Sequence, residues 1–408
     1  MLKIGIVGCG LQAATIASYL SVYGDEYEVA AVMDMNIPGS KARMAQKGVR
    51  IAENCVYTPD IDSFIASVPK LDGIIIGTYC TFHTDMACAL EKLHIPLYIE
   101  KPVAINFEQV NKLYSTFRNS STPIQVSLPM RLCPLTQEAR KIIESGKIGK
   151  VCQVVGFEDT DGEVYFTTWF RDAEKTGGMF MQKAVHDIDY MLYLASASPD
   201  EVCAMRAKVH YRGDKAYEQT CDSCPDRFTC QHGPIFRFNE RGLAESYEDA
   251  LDHLTKIRTP DGEFLRKRLC AVSKDIAIED IGSCIIRCKN GVQITHTQNF
   301  IASCAACRRG ARFVGSLGSL DIDFNHGTLC VMSSVNNDIA NYKVNGGKLS
   351  HYGGDRQLVS SFIHTMKTGE RGITDLIKGD GIMSTLTCIA ARESADSGKF
   401  LKVAFDGE

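Results

Sequence analysis

A glycine pattern near the N-terminus constrains the fold of this chain more than any other feature. The apolar run Lys3–Val7 predicts a β-strand, and a run of helical spacing begins at Leu11. Between them the chain reads Gly8-Cys9-Gly10-Leu11-Gln12-Ala13. In this G-x-G-x-x-A pattern, Gly8 permits a tight turn, Gly10 lets the backbone approach a phosphate, and Ala13 lets the helix pack closely on the strand. The pattern predicts a dinucleotide-binding corner.

An acidic residue stands where such a corner needs one. Asp34 follows the second strand-like run, Val29–Met33. A carboxylate there accepts hydrogen bonds from the adenosine ribose and repels a 2′-phosphate, so it favours NAD over NADP. Lys41 and Arg43 lie just beyond. They either soften that preference, which leaves NADP open, or are solvated helix charges.

The first third of the chain alternates strand-like and helix-like segments. Gly73–Gly77 carries a continuous apolar run suited to a strand that is buried on both faces. Thr84–Leu93 has helical spacing, and Pro96–Glu100 and Ile124–Leu128 are short strand-like runs. This alternation predicts an α/β fold with a parallel, doubly wound sheet. We assign residues 1–125 to an NAD(P)-binding Rossmann domain.

The pattern changes after about residue 126. Ile278–Lys289, Val292–Phe300 and Ser319–Phe324 alternate polar and apolar residues, which is typical of an antiparallel sheet with one covered face. We assign residues 126–408 to an α/β domain with a large, mostly antiparallel sheet that serves substrate binding and oligomerisation. An irregular, charged stretch at about 211–274 looks like an insertion. An uncovered sheet face predicts self-association to a dimer or tetramer.

Composition excludes several other classes. The net charge of −4 comes without a long basic run, so nucleic acid is not an expected partner. No stretch reaches about 18 consecutive apolar residues, so no membrane span is expected. The N-terminus lacks the features of a secretory signal. We therefore expect a soluble, cytoplasmic protein, in which most of the seventeen cysteines act as small buried apolar residues.

Several further motifs together resemble one family. The chain reads Gly73-Ile74-Ile75-Ile76-Gly77-Thr78, then His83, then Tyr98-Ile99-Glu100-Lys101-Pro102; later come Arg131 before Pro134, Gly177-Gly178 leading to His186 and Asp189, and Gly315-Ser316-Leu317-Gly318. With the N-terminal fingerprint, these resemble the Gfo/Idh/MocA oxidoreductases over most of the chain outside 211–274. The resemblance implies hydride transfer between a nicotinamide and a carbon of a carbohydrate-like small molecule: a sugar, cyclitol or glycoside.

The resemblance also assigns roles to residues. It implies that Lys101 and His186 are catalytic, and that Glu100 and Pro102 hold Lys101 near the nicotinamide through a cis Lys101–Pro102 peptide. The cofactor site would comprise Gly8, Gly10, Leu11, Gln12, Ala13, Asp34, Thr78, His83, Glu100, Lys101, Pro102 and Arg131. Two departures stand out. Tyr79-Cys80 replaces the family's Pro-Asn, and Gln182 replaces an aspartate four residues before His186, which indicates a different substrate subgroup.

The chemistry of the residues supports these roles. A lysine near a nicotinamide cation has a depressed pKa and can exchange a proton with a hydroxyl. Gln182, Lys183, His186 and Tyr190 recur at spacings of three and four, which predicts one shared helix face. Trp169 and Arg171 precede that helix, and the tryptophan either stacks on a sugar ring or packs in the core. The candidate substrate residues are Lys101, Trp169, Arg171, Gln182, Lys183, His186 and Tyr190.

Two further clusters leave alternatives open. His351-Tyr352-Gly353-Gly354-Asp355 either closes the pocket or forms a turn that caps the next helix through Asp355. Cys221, Cys224 and Cys230 lie within ten residues of one another in the insertion. Their C-x2-C spacing suits structural zinc, with His232 or a distant cysteine as fourth ligand. The alternatives are an iron–sulfur cluster, free thiols or disulfides.

The leading function is therefore an NAD(P)-dependent dehydrogenase or reductase that acts on a CH–OH group. An NAD(P)-binding regulatory or sensor protein without turnover is the alternative, and it rests on Gln182. A metal-organised interaction module would rest on the cysteine cluster alone.

Overall fold

Two β-sheets form the framework of the molecule. The computed structural model describes residues 1–23, 26–221, 223–227, 229–233, 236, 245–246, 248–249, 268–345 and 350–407. Much of the insertion predicted at 211–274 lies outside these residues. Among the helices that are described, none combines the length and apolar character of a membrane span.

The first sheet is parallel throughout. Its strands are β1 (Leu2–Val7), β2 (Tyr27–Met33), β3 (Ile51–Thr58), β4 (Gly73–Ile76), β5 (Leu97–Ile99) and β6 (Ile124–Val126). Their order is β3-β2-β1-β4-β5-β6, and each described pair is parallel. The order reverses between β1 and β4, and open sheets of this kind bind ligands at the carboxyl ends of the strands beside that reversal. The predicted doubly wound sheet is confirmed.

The helices around this sheet follow local capping signals. They are α1 (Leu11–Tyr19), α2 (Ile37–Gln46), α3 (Ile61–Ser67), α4 (His83–Leu90) and α5 (Phe107–Phe117). Asn36, Asp60 and Asn106 cap α2, α3 and α5, each accepting a backbone N–H from inside the first turn. Helix α1 begins after Gly10 and has no side-chain cap.

The second sheet is mixed and mostly antiparallel. It contains β7 (Val151–Asp159), β8 (Pro199–Ala207), β9 (Ile281–Cys288), β10 (Gln293–Asn299), β11 (Arg308–Gly315), β12 (Gly318–Asp323), β13 (Thr328–Ser333), β14 (Ile339–Lys343) and β15 (Leu401–Lys402). The order is β14-β13-β12-β11-β7-β10-β9-β8-β15. Among the described pairings, β7 with β10 is parallel and the rest are antiparallel. The predicted sheet type is confirmed.

The remaining helices cover one face of this sheet or join the two sheets. They are α6 (Pro129–Leu132), α7 (Pro134–Glu144), α8 (Glu163–Phe166), α9 (Ala173–Thr176), α10 (Val185–Ala195), α11 (Gly354–Thr368) and α12 (Met383–Ser397). Helix α10 packs on β7 and α12 packs on β8. On the opposite face Val155, Met205 and Ile285 are 41%, 78% and 52% exposed. Apolar side chains on this face of the second sheet therefore meet solvent in the single chain.

Helix α11 returns to the first sheet. Leu358, Val359 and Phe362 are buried in the same core as Ile4 and Tyr98, and the Phe362 and Tyr98 rings meet edge to face with their centroids 5.6 Å apart. A segment that the sequence assigns to the second domain thus stabilises the first sheet. The boundary between residues 1–125 and 126–408 stays a prediction.

Candidate active site

Backbone atoms pack tightly where the strand order reverses, between β1 and β4. Gly8 has a φ of 79°, and a Cβ there would lie 2.6 Å from the Thr78 backbone nitrogen. A Cβ on Gly77 would lie 2.6 Å from the Cβ of Ala13. Only a glycine–alanine pairing therefore lets α1 approach β4 so closely, as the fingerprint requires.

The start of α1 fits a dinucleotide phosphate. A Cβ on Gly10 would meet only the Gly77 carbonyl oxygen, at 3.5 Å, so the space before the helix is open. The first-turn amides at Leu11, Gln12 and Ala13 receive no side-chain cap. A pyrophosphate binds backbone amides that have no hydrogen-bond partner, together with the positive end of a helix dipole. The fingerprint residues therefore suit NAD, and Gly10 leaves the room that it needs.

Asp34 lies at the end of β2 between two backbone amides. Its carboxylate accepts from Cys9 N at 2.9 Å and from Asn36 N at 2.7 Å. Arg43 lies 3.6 Å from the same carboxylate and donates to the Cys9 carbonyl at 2.7 Å. Lys41 instead lies over the Tyr57 ring. A carboxylate and a guanidinium thus stand together at the place expected for the adenosine ribose.

Lys101 follows β5 at the edge of the cleft. The Lys101–Pro102 peptide is cis, as the resemblance implies. The Lys101 ammonium donates to the Gln182 carbonyl oxygen at 2.6 Å. Burial lowers the pKa of Lys101 to about 8, because a low-dielectric surrounding disfavours the charged form. At neutral pH this lysine is close to the point at which it exchanges a proton.

The neighbours of Lys101 hold its turn in place. Burial, followed by the nearby Asp355, raises the pKa of Glu100 to about 7, and Glu100 Oε1 has no hydrogen-bond partner. His83 is 1% exposed, with Nδ1 2.7 Å from the Pro102 carbonyl and Nε2 3.1 Å from the Thr78 carbonyl. Burial lowers its pKa to about 4. The His83 ring thus connects the two loops, and its assignment as a cofactor contact stays a prediction.

A turn of π-helix, Phe180–Ala184, precedes α10. The Gln182 amide donates to Thr176 O at 2.9 Å and to Cys80 Sγ at 3.3 Å. Lys183 pairs with Glu158 at 3.1 Å, and its positive charge lowers the pKa values of Lys101 and His186. Both side chains are thus held by protein groups near the candidate catalytic residues, and their assignment as substrate contacts stays a prediction.

Tyr190 lies one turn beyond His186 on α10. It is fully buried, and its ring meets Phe324 edge to face with the centroids 5.2 Å apart. Its hydroxyl has no hydrogen-bond partner in the part of the chain that the structure describes. Its assignment as a substrate contact stays a prediction.

His186 lies deep beside Lys101. It is 2% exposed, and its Nδ1 has no hydrogen-bond partner. Burial holds the pKa of His186 well below its usual value, and the positive charge of Lys101 adds to that effect. The ring centroid lies 5.0 Å from that of His351. The structure thus brings Lys101 and His186 together and adds a second histidine.

A buried ion cluster near His186 escaped the sequence interpretation. Arg309 donates to both oxygens of Asp187, at 2.8 and 2.9 Å. Glu158 lies 3.9 Å from Arg309 and bonds Lys183 on its other side. Burial raises the pKa of Asp187 to about 7. The members come from β7, the π-turn, α10 and β11, so local spacing gives no signal for the cluster.

Two arginines that the sequence predicts as ligand contacts bind carboxylates of the protein. Arg131 is 5% exposed and binds both oxygens of Asp189, at 2.8 and 2.7 Å. Arg171 is 3% exposed and bonds Asp275 at 2.7 Å and the Cys270 carbonyl at 3.1 Å. The assignments of Arg131 to the cofactor and Arg171 to the substrate stay predictions.

An aromatic surface borders the same cleft. The Trp169 and Tyr79 ring centroids lie 4.6 Å apart, and Tyr79 is 44% exposed. Tyr79 follows Thr78 at the end of β4 and is one of the two departures from the family pattern. Together they offer an apolar surface of the kind on which sugar rings stack.

The cysteine cluster has an additional neighbour. An antiparallel contact, in which Cys221 N donates to Arg268 O and Cys270 N donates to Gln219 O, brings Cys270 into the cluster, where it interacts electrostatically with Cys230 and Cys224. The cysteines form no disulfide. Among the described residues, no group of three or more His, Cys, Asp or Glu side chains is placed to hold a metal ion. Zinc at Cys221, Cys224 and Cys230 stays a prediction without a metal-binding arrangement behind it.

Comparisons with known proteins agree with this architecture. Residues 2–128 match the model described as the oxidoreductase family, NAD-binding Rossmann fold, and residues 136–239 match the GFO/IDH/MocA C-terminal domain. The rhizopine catabolism protein MocA of Rhizobium meliloti is 23% identical over 52% of this chain and 62% of its own length. Inositol 2-dehydrogenase of Rhizobium meliloti (strain 1021) is 23% identical over 50% of this chain and 58% of its own.

Solved structures share the whole fold. Levoglucosan dehydrogenase in complex with NADH and levoglucosan superposes with a TM-score of 0.73 at 16% identity, covering 98% of this chain and 99% of that one. At that identity the likeness concerns the fold alone. The two family models together match more than half of the chain, with the nucleotide fingerprint and the Glu100-Lys101-Pro102 turn inside the matched region. The chain is therefore a member of the Gfo/Idh/MocA family of NAD-binding oxidoreductases.

Proposed function

We propose that this protein is an NAD(H)-dependent dehydrogenase or reductase that acts on a CH–OH carbon of a sugar, cyclitol or glycoside. The observation that carries the proposal is the pairing of Lys101 and His186 at the carboxyl end of the nucleotide-binding sheet. Lys101 has its pKa lowered to about 8 and His186 is held neutral. Oxidation of an alcohol needs such a proton acceptor beside the hydride acceptor.

Each part of the site has a role in this reaction. NAD would supply the hydride acceptor when bound. The α1 amides would hold its pyrophosphate, and Asp34 would bind the adenosine ribose. Lys101, as the neutral amine, would take the hydroxyl proton, and the Gln182 carbonyl would orient its side chain. His83 fixes the turn that carries Lys101.

The substrate class follows from the lining of the cleft. The Tyr79–Trp169 surface suits the apolar face of a ring, and Lys101 and His186 suit its hydroxyl groups. The named activities of the relatives, on inositol and levoglucosan, support the same class. Gln182 in place of the family's aspartate indicates a substrate that differs from theirs.

Cofactor choice gives a direct prediction. Asp34→Ala should weaken NADH binding about 10-fold, or ~1.4 kcal/mol, because it removes the acceptor for the ribose hydroxyls. NADPH binding should weaken less or improve, since Arg43 would lose its partner. Calorimetric titration of both cofactors measures this, with the exposed Asp62→Ala as control. Tighter NADPH than NADH binding by the wild type would contradict this role of Asp34.

The exposed sheet face gives a prediction about assembly. We expect a homo-oligomer, a dimer or tetramer, in which the face bearing Val155, Met205 and Ile285 is covered. Monomers seldom expose a large apolar patch. Light scattering should give a multiple of the 44.9 kDa chain mass, and Ile285→Lys should shift it towards the monomer. A wild-type monomer at assay concentration would overturn the expectation.

A substrate screen tests the proposed function. Cyclitols, aldoses and anhydro sugars are offered with NAD and NADP while nicotinamide absorbance is followed. Turnover with at least one polyol is the expected result. Tight NADH binding without turnover of any polyol or ketose, in either direction, would instead favour a regulatory protein.

A further inference from the structure

The proposed reaction releases a proton beside Lys101 and His186, and the buried His186 alone is poorly equipped to remove it. Its ring is 2% exposed and its pKa lies well below the usual histidine value, first through burial. Gln182 stands in place of the carboxylate that the family pattern pairs with this histidine. Its amide points to Thr176 O and Cys80 Sγ. A proton on His186 therefore has to pass to another group.

A carboxylate–histidine pair lies next to His186, supplied by a distant part of the chain. His351 Nδ1 lies 2.9 Å from both oxygens of Asp355, which is itself 1% exposed. The His351 and His186 ring centroids are 5.0 Å apart. The His351 side chain is 27% exposed. His351 thus links the buried ring of His186 to solvent.

The backbone that carries His351 is held in an unfavourable conformation. His351 and Tyr352 have φ values of 44° and 54°, in the left-handed region that non-glycine residues avoid. A Cβ on Gly354 would come within 2.1 Å of the Pro129 carbonyl, so the turn is pressed against α6. Such backbone persists where the surroundings fix it, and it clusters at functional sites.

We propose that His351, oriented by Asp355, is the proton exit of the active site. This rests on the proposed function. As the carbon loses its hydride to the nicotinamide, the O–H bond of the substrate breaks and its proton passes to Lys101. His186 takes that proton on one ring nitrogen and releases one from the other to His351, which delivers it to solvent. The buried Nδ1 of His186, which has no hydrogen-bond partner among the described residues, is available for such a transfer.

The groups that face this path come from several elements. Glu100 and Lys101 face it from the end of β5, and Arg309 and Lys183 add positive charge beside His186. Asp355 interacts with two of these groups. Its charge raises the pKa of Glu100, and its carboxylate pairs with His351. Asp355 is therefore a positioning residue, and His351 is the group that exchanges the proton.

The test uses the full-length protein with the substrate found in the screen. His351→Ala should lower kcat by ~10- to 100-fold while KM and the Kd for NADH stay near wild type. Added imidazole should restore much of that kcat in the variant and leave the wild type unchanged. Asp355→Asn should lower kcat by less. The matched control is His364→Ala, since His364 lies on α11 and forms an exposed pair with Glu370.

The outcomes separate the two proposals. A His351→Ala variant with wild-type kcat, or one whose lost activity imidazole does not restore, would overturn the proton-exit role. A parallel loss of NADH binding would overturn it too, since that pattern indicates a structural role. If the wild type itself turns over no nicotinamide, the proposed function fails, and the proton exit fails with it.

Discussion

Replacing Lys101 with methionine should lower kcat by ~10²-fold or more, the usual scale of an acid–base contribution. NADH affinity should stay near wild type. Methionine keeps the length and apolar stem of lysine but cannot exchange a proton. The ammonium lies beside Gln182 O, away from the phosphate-binding start of α1. The change therefore removes proton transfer without touching the start of α1, which would hold the pyrophosphate of the cofactor.

Steady-state kinetics and NADH fluorescence titration measure the two effects, with the exposed Lys150→Met as control. In the wild type, alcohol oxidation should speed up as the pH rises to about 8, because burial lowers the pKa of Lys101 to that value and the neutral amine is the acceptor. The variant should lose this dependence. Wild-type kcat in Lys101→Met would remove the residue from the mechanism.

Gly10→Val should weaken NADH binding by at least about 100-fold, or about 2.7 kcal/mol, while the protein remains folded. Gly10 has extended backbone, with φ −70° and ψ −178°, which valine adopts readily. A Cβ there meets only Gly77 O at 3.5 Å. The added side chain would instead fill the space before α1 that we assign to the pyrophosphate.

Gly8 offers the contrast. A Cβ at Gly8 would collide with Thr78 at 2.5 to 2.7 Å, and its φ of 79° disfavours other residues. Gly8→Val should therefore lower thermal stability, whereas Gly10→Val should melt near the wild-type temperature and still fail to bind NADH. Unchanged NADH affinity in Gly10→Val would show that the cofactor does not approach this helix start.

The nucleotide-binding half could be predicted because its signals are local. The turn at Gly8–Ala13, the apolar run of β4 and the Glu100-Lys101-Pro102 turn each occupy adjacent positions. Parallel strands and right-handed crossovers then leave few alternative topologies. The alternation of polar and apolar residues likewise predicts the mostly antiparallel second sheet.

The substrate side could be predicted only in part, because distant contacts decide it. Gln182 and Lys183 are held by Thr176, Cys80 and Glu158, and spacing along one helix does not reveal such partners. Arg131 and Arg171 each bind a carboxylate that lies far along the chain, Asp189 and Asp275 respectively. The sequence offers His351 as a pocket-closing candidate, but its placement beside His186 depends on a segment far along the chain.

The central claim is that this protein moves a hydride between a CH–OH carbon and NAD at the Lys101 site. The most direct measurement uses a substrate from the screen with deuterium on the reacting carbon, followed by mass spectrometry of the reduced cofactor. We predict NADH that carries the deuterium, formed by the wild type and strongly diminished in Lys101→Met. NADH without deuterium, or equal transfer by Lys101→Met, would contradict the account.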